Sequence, residues 1–134
     1  MTVGIVIVSH SQRLAEGVVE FAGQMAHGGV TLVAAGGTNT GELGTSLEKV
    51  LSALESADSG DGALVLVDIG SAAQVADMAL EQLSDERRAR VVLSDAPLVE
   101  GAFAAAIEAS IGSDLAQVAA TAKEAATMDK NISA

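Results

Sequence analysis

With no cysteine and no tyrosine in the chain, its two histidines and its carboxylates are the first candidates for nucleophilic or acid–base work. His10 stands in IVIVSHSQRLAEGV, residues 5–18, between two serines at the point where an apolar run gives way to an amphipathic pattern. Asp68 occupies the same kind of position after the apolar run ALVLV, residues 63–67. If the fold makes these two residues neighbours, a carboxylate on one imidazole nitrogen fixes the tautomer and leaves the lone pair of the other nitrogen facing outward. Such a nitrogen can attack phosphorus. A phosphoryl group in transfer then needs hydrogen-bond donors for its equatorial oxygens, and glycine-rich turns, a serine hydroxyl and the amino end of a helix supply them without a metal.

The elements that must position this pair follow from hydrophobic periodicity. Val3 to Val8 is a β-branched run, and Leu14, Val18, Phe21 and Met25 recur at three- and four-residue steps, as on one helix face. Val30 to Ala35 reads as a second strand, followed by a helical stripe of Leu43, Leu47, Val50 and Leu54 that Thr45 and Glu48 would open as a capping box. Ala63 to Val67 is a third strand. Ser71 with Gln74 makes another capping box, before a helix whose buried side would include Val75, Met78, Ala79 and Leu83. Arg90 to Leu93 is a fourth strand, and Pro97 suits the first turn of an alanine-rich helix that Gly112 stops near Ile111. Ser113 would cap a last helix carrying Leu115, Val118 and Ala122, with a frayed tail from about residue 128 to 134.

Continuously apolar strands separated by helices imply an open α/β fold, with a mainly parallel sheet covered by helices on both faces. In the strand order 2-1-3-4 the first and third strands flank the reversal of direction. Ligands of such sheets sit there, beyond the carboxyl ends of the strands. That order brings His10 and Asp68 together. Residues 1–134 read as one domain, without internal repeat or long linker.

Composition removes several classes of function. Seven Lys and Arg against 18 Asp and Glu give a formal net charge of -11, and two Phe with no Trp or Tyr provide no stacking platform, so nucleic acid is not an expected partner. The apolar runs are too short to cross a bilayer and no basic-then-apolar leader opens the chain, so the expectation is a cytoplasmic protein without a membrane partner. Gly36 and Gly41 have the offset of a nucleotide-binding glycine loop, but Glu42 stands where the lysine belongs. No dinucleotide fingerprint, metal-ligand spacing or nucleophile-elbow serine is present, and no bound cofactor or metal is expected.

Each candidate also has an ordinary structural use. His10 suits a loop before a helix, Asp68 suits a turn cap, and Ser71 suits a helix cap. Glycines 36, 37 and 41 suit a tight turn. His27, near the end of the first helix, reads as a partner of the helix dipole. Arg87, Arg88 and Arg90 read as a solvated face.

Taken together, GIVIVSHSQRLAEGV around His10, GTS at 44–46, LVLVDIGSA around Asp68 and APLVEGA at 96–102 resemble the mannose-type EIIA family over about residues 1–125. Within it they are similar to the phosphotransferase subunits of dihydroxyacetone kinase systems. The resemblance implies an open α/β sandwich, a homodimer, and a histidine, here His10, that accepts a phosphoryl group from the carrier HPr. By the same resemblance the group passes to ADP held on the subunit DhaL, for phosphorylation of dihydroxyacetone. Asp68 matches the aspartate that orients the histidine. Gly37, Thr38, Gly70 and Ser71 lie in the loops that match the phosphate-binding loops, and Arg13 fits a contact to a partner or to the phosphate. Some members carry HPr-like and enzyme I-like domains in the same chain; these residues contain neither, so a separate HPr is the expected donor unless they are a fragment of such a protein. A sugar-transport EIIA delivering to an EIIB, and a non-catalytic anion-binding or regulatory module, are the competing readings.

Overall fold

The computed structural model describes residues 2–133. Its elements are β1 (Gly4–Ser9), α1 (Gln12–Met25), β2 (Leu32–Gly36), α2 (Leu47–Ala57), β3 (Ala63–Val67), α3 (Gly70–Glu81), α4 (Asp85–Arg88), β4 (Val91–Ser94), α5 (Leu98–Ser110) and α6 (Leu115–Glu124), with a final 3-10 turn at Ala125–Thr127. The four strands form one parallel sheet in the order β2-β1-β3-β4, as the sequence predicts. The strand side chains alternate between two cores. Ile5, Ile7, Leu64 and Leu66 pack against α1, α5 and α6, while Val6, Val8 and Val65 pack against α2 and α3. Both faces of the central strands are therefore dry, which is why they read as unbroken aliphatic runs.

Three strands extend one residue further toward their carboxyl ends than the apolar pattern predicts, taking in Ser9, Gly36 and Ser94. The ladder continues because Ser9 and Gly36 pair across β1 and β2, and their small side chains fit a buried edge. The buried face of α1 is rotated from the predicted one: Ala15, Val18 and Ala22 face the core, and Leu14, Phe21 and Met25 are exposed. Small residues let this helix lie close to the sheet. A Cβ on Gly36 would stand 2.5 Å from the Ser11 carbonyl oxygen and 2.8 Å from the Ala15 Cβ. Met78, expected on the buried side of α3, is likewise exposed, and Ala72, Ala76, Ala79 and Leu80 take that place.

Three predicted caps shift. Ser46, not Thr45, caps α2 by accepting from Lys49 N–H at 3.2 Å, which leaves Leu43 outside the helix. Asp114, not Ser113, caps α6, and the Ser113 hydroxyl donates to Glu108 on α5 instead. Ser71 caps nothing. Ile69 is the cap residue of α3 and gives no side-chain bond, so Ser71 falls inside the first turn with its hydroxyl free for another partner. Arg90 departs from the solvated-face reading: its Nη2 lies 3.0 Å from the Asp58 carboxylate, whose side chain is only 2% exposed. His27 sits in the left-handed region at φ 54°, in the turn that follows α1.

Candidate functional site

The site grows out of the ladder between β1 and β3. Val8 pairs with Val67, and Asp68 N–H donates to the Val8 carbonyl at 3.2 Å, so the first residues beyond the two strands are held side by side. His10 Nδ1 lies 3.0 Å from Asp68 Oδ1. A carboxylate only accepts, so Nδ1 carries the ring proton and Nε2 keeps its lone pair. The Ser71 hydroxyl donates to that lone pair from the first turn of α3.

Asp68 is itself fixed by three further donors. Its Oδ2 accepts from the Ser9 hydroxyl at 2.8 Å and from His10 N–H at 2.9 Å, and its Oδ1 accepts from Ile69 N–H at 2.7 Å. Burial pushes this carboxyl up, but the bonds from the two backbone amides and from the Ser9 and His10 side chains outweigh it and hold its pKa below the ordinary 3.8. The charge that steadies the imidazole is thus present throughout the neutral range. Ser9 is fully buried, and its oxygen also accepts from Ser11 N–H at 3.0 Å, tying the start of α1 to the same carboxylate.

Of the predicted phosphate ligands, Ser71 reaches His10 Nε2 through its hydroxyl, and Gly70 precedes it at the start of α3. Their backbone N–H groups have no partner among the described residues, whereas Ala72 N–H already bonds to the Ile69 carbonyl. A Cβ on Gly70 would meet nothing, so the approach to these amides is clear. Unpartnered amides at a helix start beside a nucleophilic nitrogen suit an anion. Gly37 and Thr38 are placed differently. Gly37 N–H bonds to the Ser9 carbonyl at 3.2 Å and Thr38 N–H to the Glu42 carbonyl at 2.9 Å, so both amides are engaged within the fold. The Thr38 hydroxyl accepts from Glu42 N–H at 3.1 Å. Arg13 is exposed in the first turn of α1, and among the described residues it has no ion pair.

The loop 37–46 also braces the site. Gly44 N–H donates to the His10 carbonyl at 2.8 Å, and Lys49 Nζ donates to the Gly36 carbonyl at 2.9 Å. Gly37 and Gly44 adopt φ of 75° and 141°, conformations that a side chain would strain. Sequence reasoning assigned no role to Ser9, Gly44 or Lys49. The available signal was a serine ending an otherwise aliphatic strand, where an unbonded hydroxyl would be costly. Among the described residues no cluster of three or more His, Asp or Glu is arranged to hold a metal ion, and no helix is long and apolar enough to cross a membrane.

Residues 4–119 match the family model EIIA-man, described as the PTS system fructose IIA component. The chain belongs to the EIIA-man family. This EIIA-man chain is 38% identical over 109 residues to a phosphoryl donor subunit DhaM of the PEP-dependent dihydroxyacetone kinase 2 of Listeria innocua, covering 81% of the chain and 87% of that relative. It is 45% identical over 119 residues to the phosphoryl donor subunit DhaM of Escherichia coli, covering 87% of the chain and 25% of that relative. It therefore spans nearly all of the Listeria protein and a quarter of the Escherichia coli one. Its fold superposes with a TM-score of 0.84 on the crystal structure of the unknown function protein EF1359, at 38% identity over 92% of this EIIA-man chain and 95% of the other.

Proposed function

We propose that this EIIA-man chain is the histidine phosphocarrier of a dihydroxyacetone kinase system, taking a phosphoryl group from HPr on His10 and passing it to ADP held on DhaL. The reading rests on one observation: His10 Nδ1 is held by Asp68 while Nε2 faces Ser71 and the start of α3. The Nε2 lone pair attacks phosphorus, and the new N–P bond forms as the bond to the donor breaks. The ring gains positive charge while keeping the Nδ1 proton, and Asp68 stabilises that charge without taking the proton. The Ser71 hydroxyl turns from Nε2 to a phosphoryl oxygen, and the Gly70 and Ser71 amides serve the others. The reverse displacement hands the group to ADP. Gly37, Thr38 and Arg13 are the further candidates for contact with the phosphate or a partner.

A shallow site at one sheet edge suits a carrier that two proteins must reach in turn. The Listeria and Escherichia coli relatives are named as phosphoryl donor subunits of dihydroxyacetone kinases, which favours a dihydroxyacetone kinase subunit over EIIB as the acceptor. We further infer a homodimer, as the family resemblance implies, working in the cytoplasm, as the short apolar runs of the sequence suggest. The dimer fits the exposed apolar side chains of Phe21 and Val99 on the outer face of α1 and α5.

The test is labelling with phosphoenolpyruvate, enzyme I and HPr. Acid-labile, base-stable phosphate appears on the wild type, is discharged as ATP by DhaL with ADP, and is absent from His10→Ala. Label on that variant, or discharge to EIIB and not to DhaL, overturns the reading.

A further inference from the structure

Two large aliphatic side chains stand in the open on the loops that hold His10: Leu43 is 80% exposed and Ile69 66%. Ile69 lies between Asp68 and the first turn of α3. Leu43 precedes Gly44, whose N–H grips the His10 carbonyl. Scattered exposed aliphatics are ordinary on a protein surface. These two differ in place, because each is the chain neighbour of a residue that bonds to His10, Leu43 of Gly44 and Ile69 of Asp68. We propose that Leu43 and Ile69 are the apolar docking contacts for the protein that delivers the phosphoryl group to His10, a proposal that rests on the phosphocarrier reading above.

Displacement at phosphorus requires the reacting atoms to come within about 3–3.5 Å. A donor protein that carries its phosphoryl group on one of its own side chains must lay its surface onto the loops around His10, and so strips water from both aliphatic groups. A nucleotide acceptor extends through its ribose and diphosphate, so the protein that holds it can stand farther off. The loops are also prepared for contact. Leu43 is carried by a segment pinned through Gly37, Thr38 and Gly44, so little order remains to be imposed on binding. Exposed Glu42 beside Leu43, within a chain of formal net charge -11, makes the fitting partner one whose apolar patch has a basic border.

The experiment uses the double variant Leu43→Gln, Ile69→Gln, which keeps side-chain bulk and adds no helix-capping group at position 69. Its labelling is compared with that of the wild type using phosphoramidate as a small donor and phosphorylated HPr as the protein donor, followed by discharge to DhaL and ADP. The expected result is a fall of about tenfold or more in kcat/KM with phosphorylated HPr, with phosphoramidate labelling and discharge to ADP each within about twofold of wild type. An unchanged HPr rate, a loss shared with phosphoramidate, or a loss confined to discharge each overturns the proposal. Failure of the wild type to label with either donor would instead strike the phosphocarrier reading itself.

Discussion

Asp68 holds His10 at two points, with Oδ1 3.0 Å from the ring Nδ1 and Oδ2 2.9 Å from the backbone nitrogen of the same residue. The ring and its backbone are therefore oriented by one carboxylate. Asp68→Asn removes the charge and, if its amide nitrogen faces the ring, reverses the tautomer. Labelling of His10 by phosphorylated HPr is expected to slow by about 10²–10⁴-fold, with the fold retained by circular dichroism.

Ser71 donates to His10 Nε2, the nitrogen proposed to take the phosphoryl group, and among the described residues the Gly70 and Ser71 amides are unpartnered. Ser71→Ala keeps those amides and α3 has no side-chain cap to lose, so Tm should stay near the wild-type value. The labelling rate should fall by about tenfold, less than for Asp68→Asn, because only one of several phosphoryl donors is removed. Stopped-flow labelling beside a thermal melt checks both halves.

Acid stability should depend on two aspartates. Burial raises the Asp58 carboxyl, and bonds from Gly60 N–H, the Arg90 side chain and Gly62 N–H bring it below its ordinary value; Asp68 is lowered by its own set of donors. A carboxyl whose folded pKa is depressed adds stability that is complete above its unfolded value and is lost as pH falls through the folded one. The urea midpoint should therefore hold from neutrality to about pH 5 and decline below about pH 4. Asp58→Asn should flatten that decline and, at pH 7, cost about 2–4 kcal/mol. This is less than the loss of a fully buried pair, because Arg90 is 32% exposed.

Gly36 ends β2 where α1 begins, and a methyl group there would meet Ser11 backbone and Ala15. Gly36→Ala should destabilise by about 1–3 kcal/mol in chemical denaturation, through overpacking alone, since its φ lies outside the left-handed region. Labelling of the folded variant should also slow, because displacement of Ser11 moves the segment that carries His10.

The acidic surface should steer a basic donor. Transfer from phosphorylated HPr is expected to slow by about threefold or more between roughly 0.05 and 0.5 M salt, while labelling by phosphoramidate changes less. Equal rates at the two ionic strengths would exclude steering.

Much of this architecture was legible in the chain. Val3 to Val8 and Ala63 to Val67 lie in the sheet with both faces covered, so their unbroken aliphatic character was a direct reading of their surroundings. The pairing of His10 with Asp68 followed from strand order alone, because residues that end neighbouring parallel strands must meet at one edge. Less legible were the faces of helices that carry both alanine and larger aliphatics. In α1 the alanines took the core and Leu14, Phe21 and Met25 the surface, since hydropathy ranks the larger residues higher while close helix–sheet packing selects the smaller. The caps of α2 and α6 were displaced by one residue for a similar reason. Thr45 and Ser46 both suit a cap, and only the path of the loop decides between them.

What the sequence by itself determined is the order of the strands and of every helix but the short α4, the sheet's polar carboxyl edge and the candidacy of His10, because each depends on local periodicity and on where apolar runs stop. The tertiary structure decided which groups remain available for chemistry. It spent the amides of Gly37 and Thr38 on bracing a loop, left those of Gly70 and Ser71 free, and turned Ser71 from a helix cap toward Nε2. Hydrogen-bond partners are assigned by three-dimensional proximity, and the partners in this site lie some sixty residues apart along the chain.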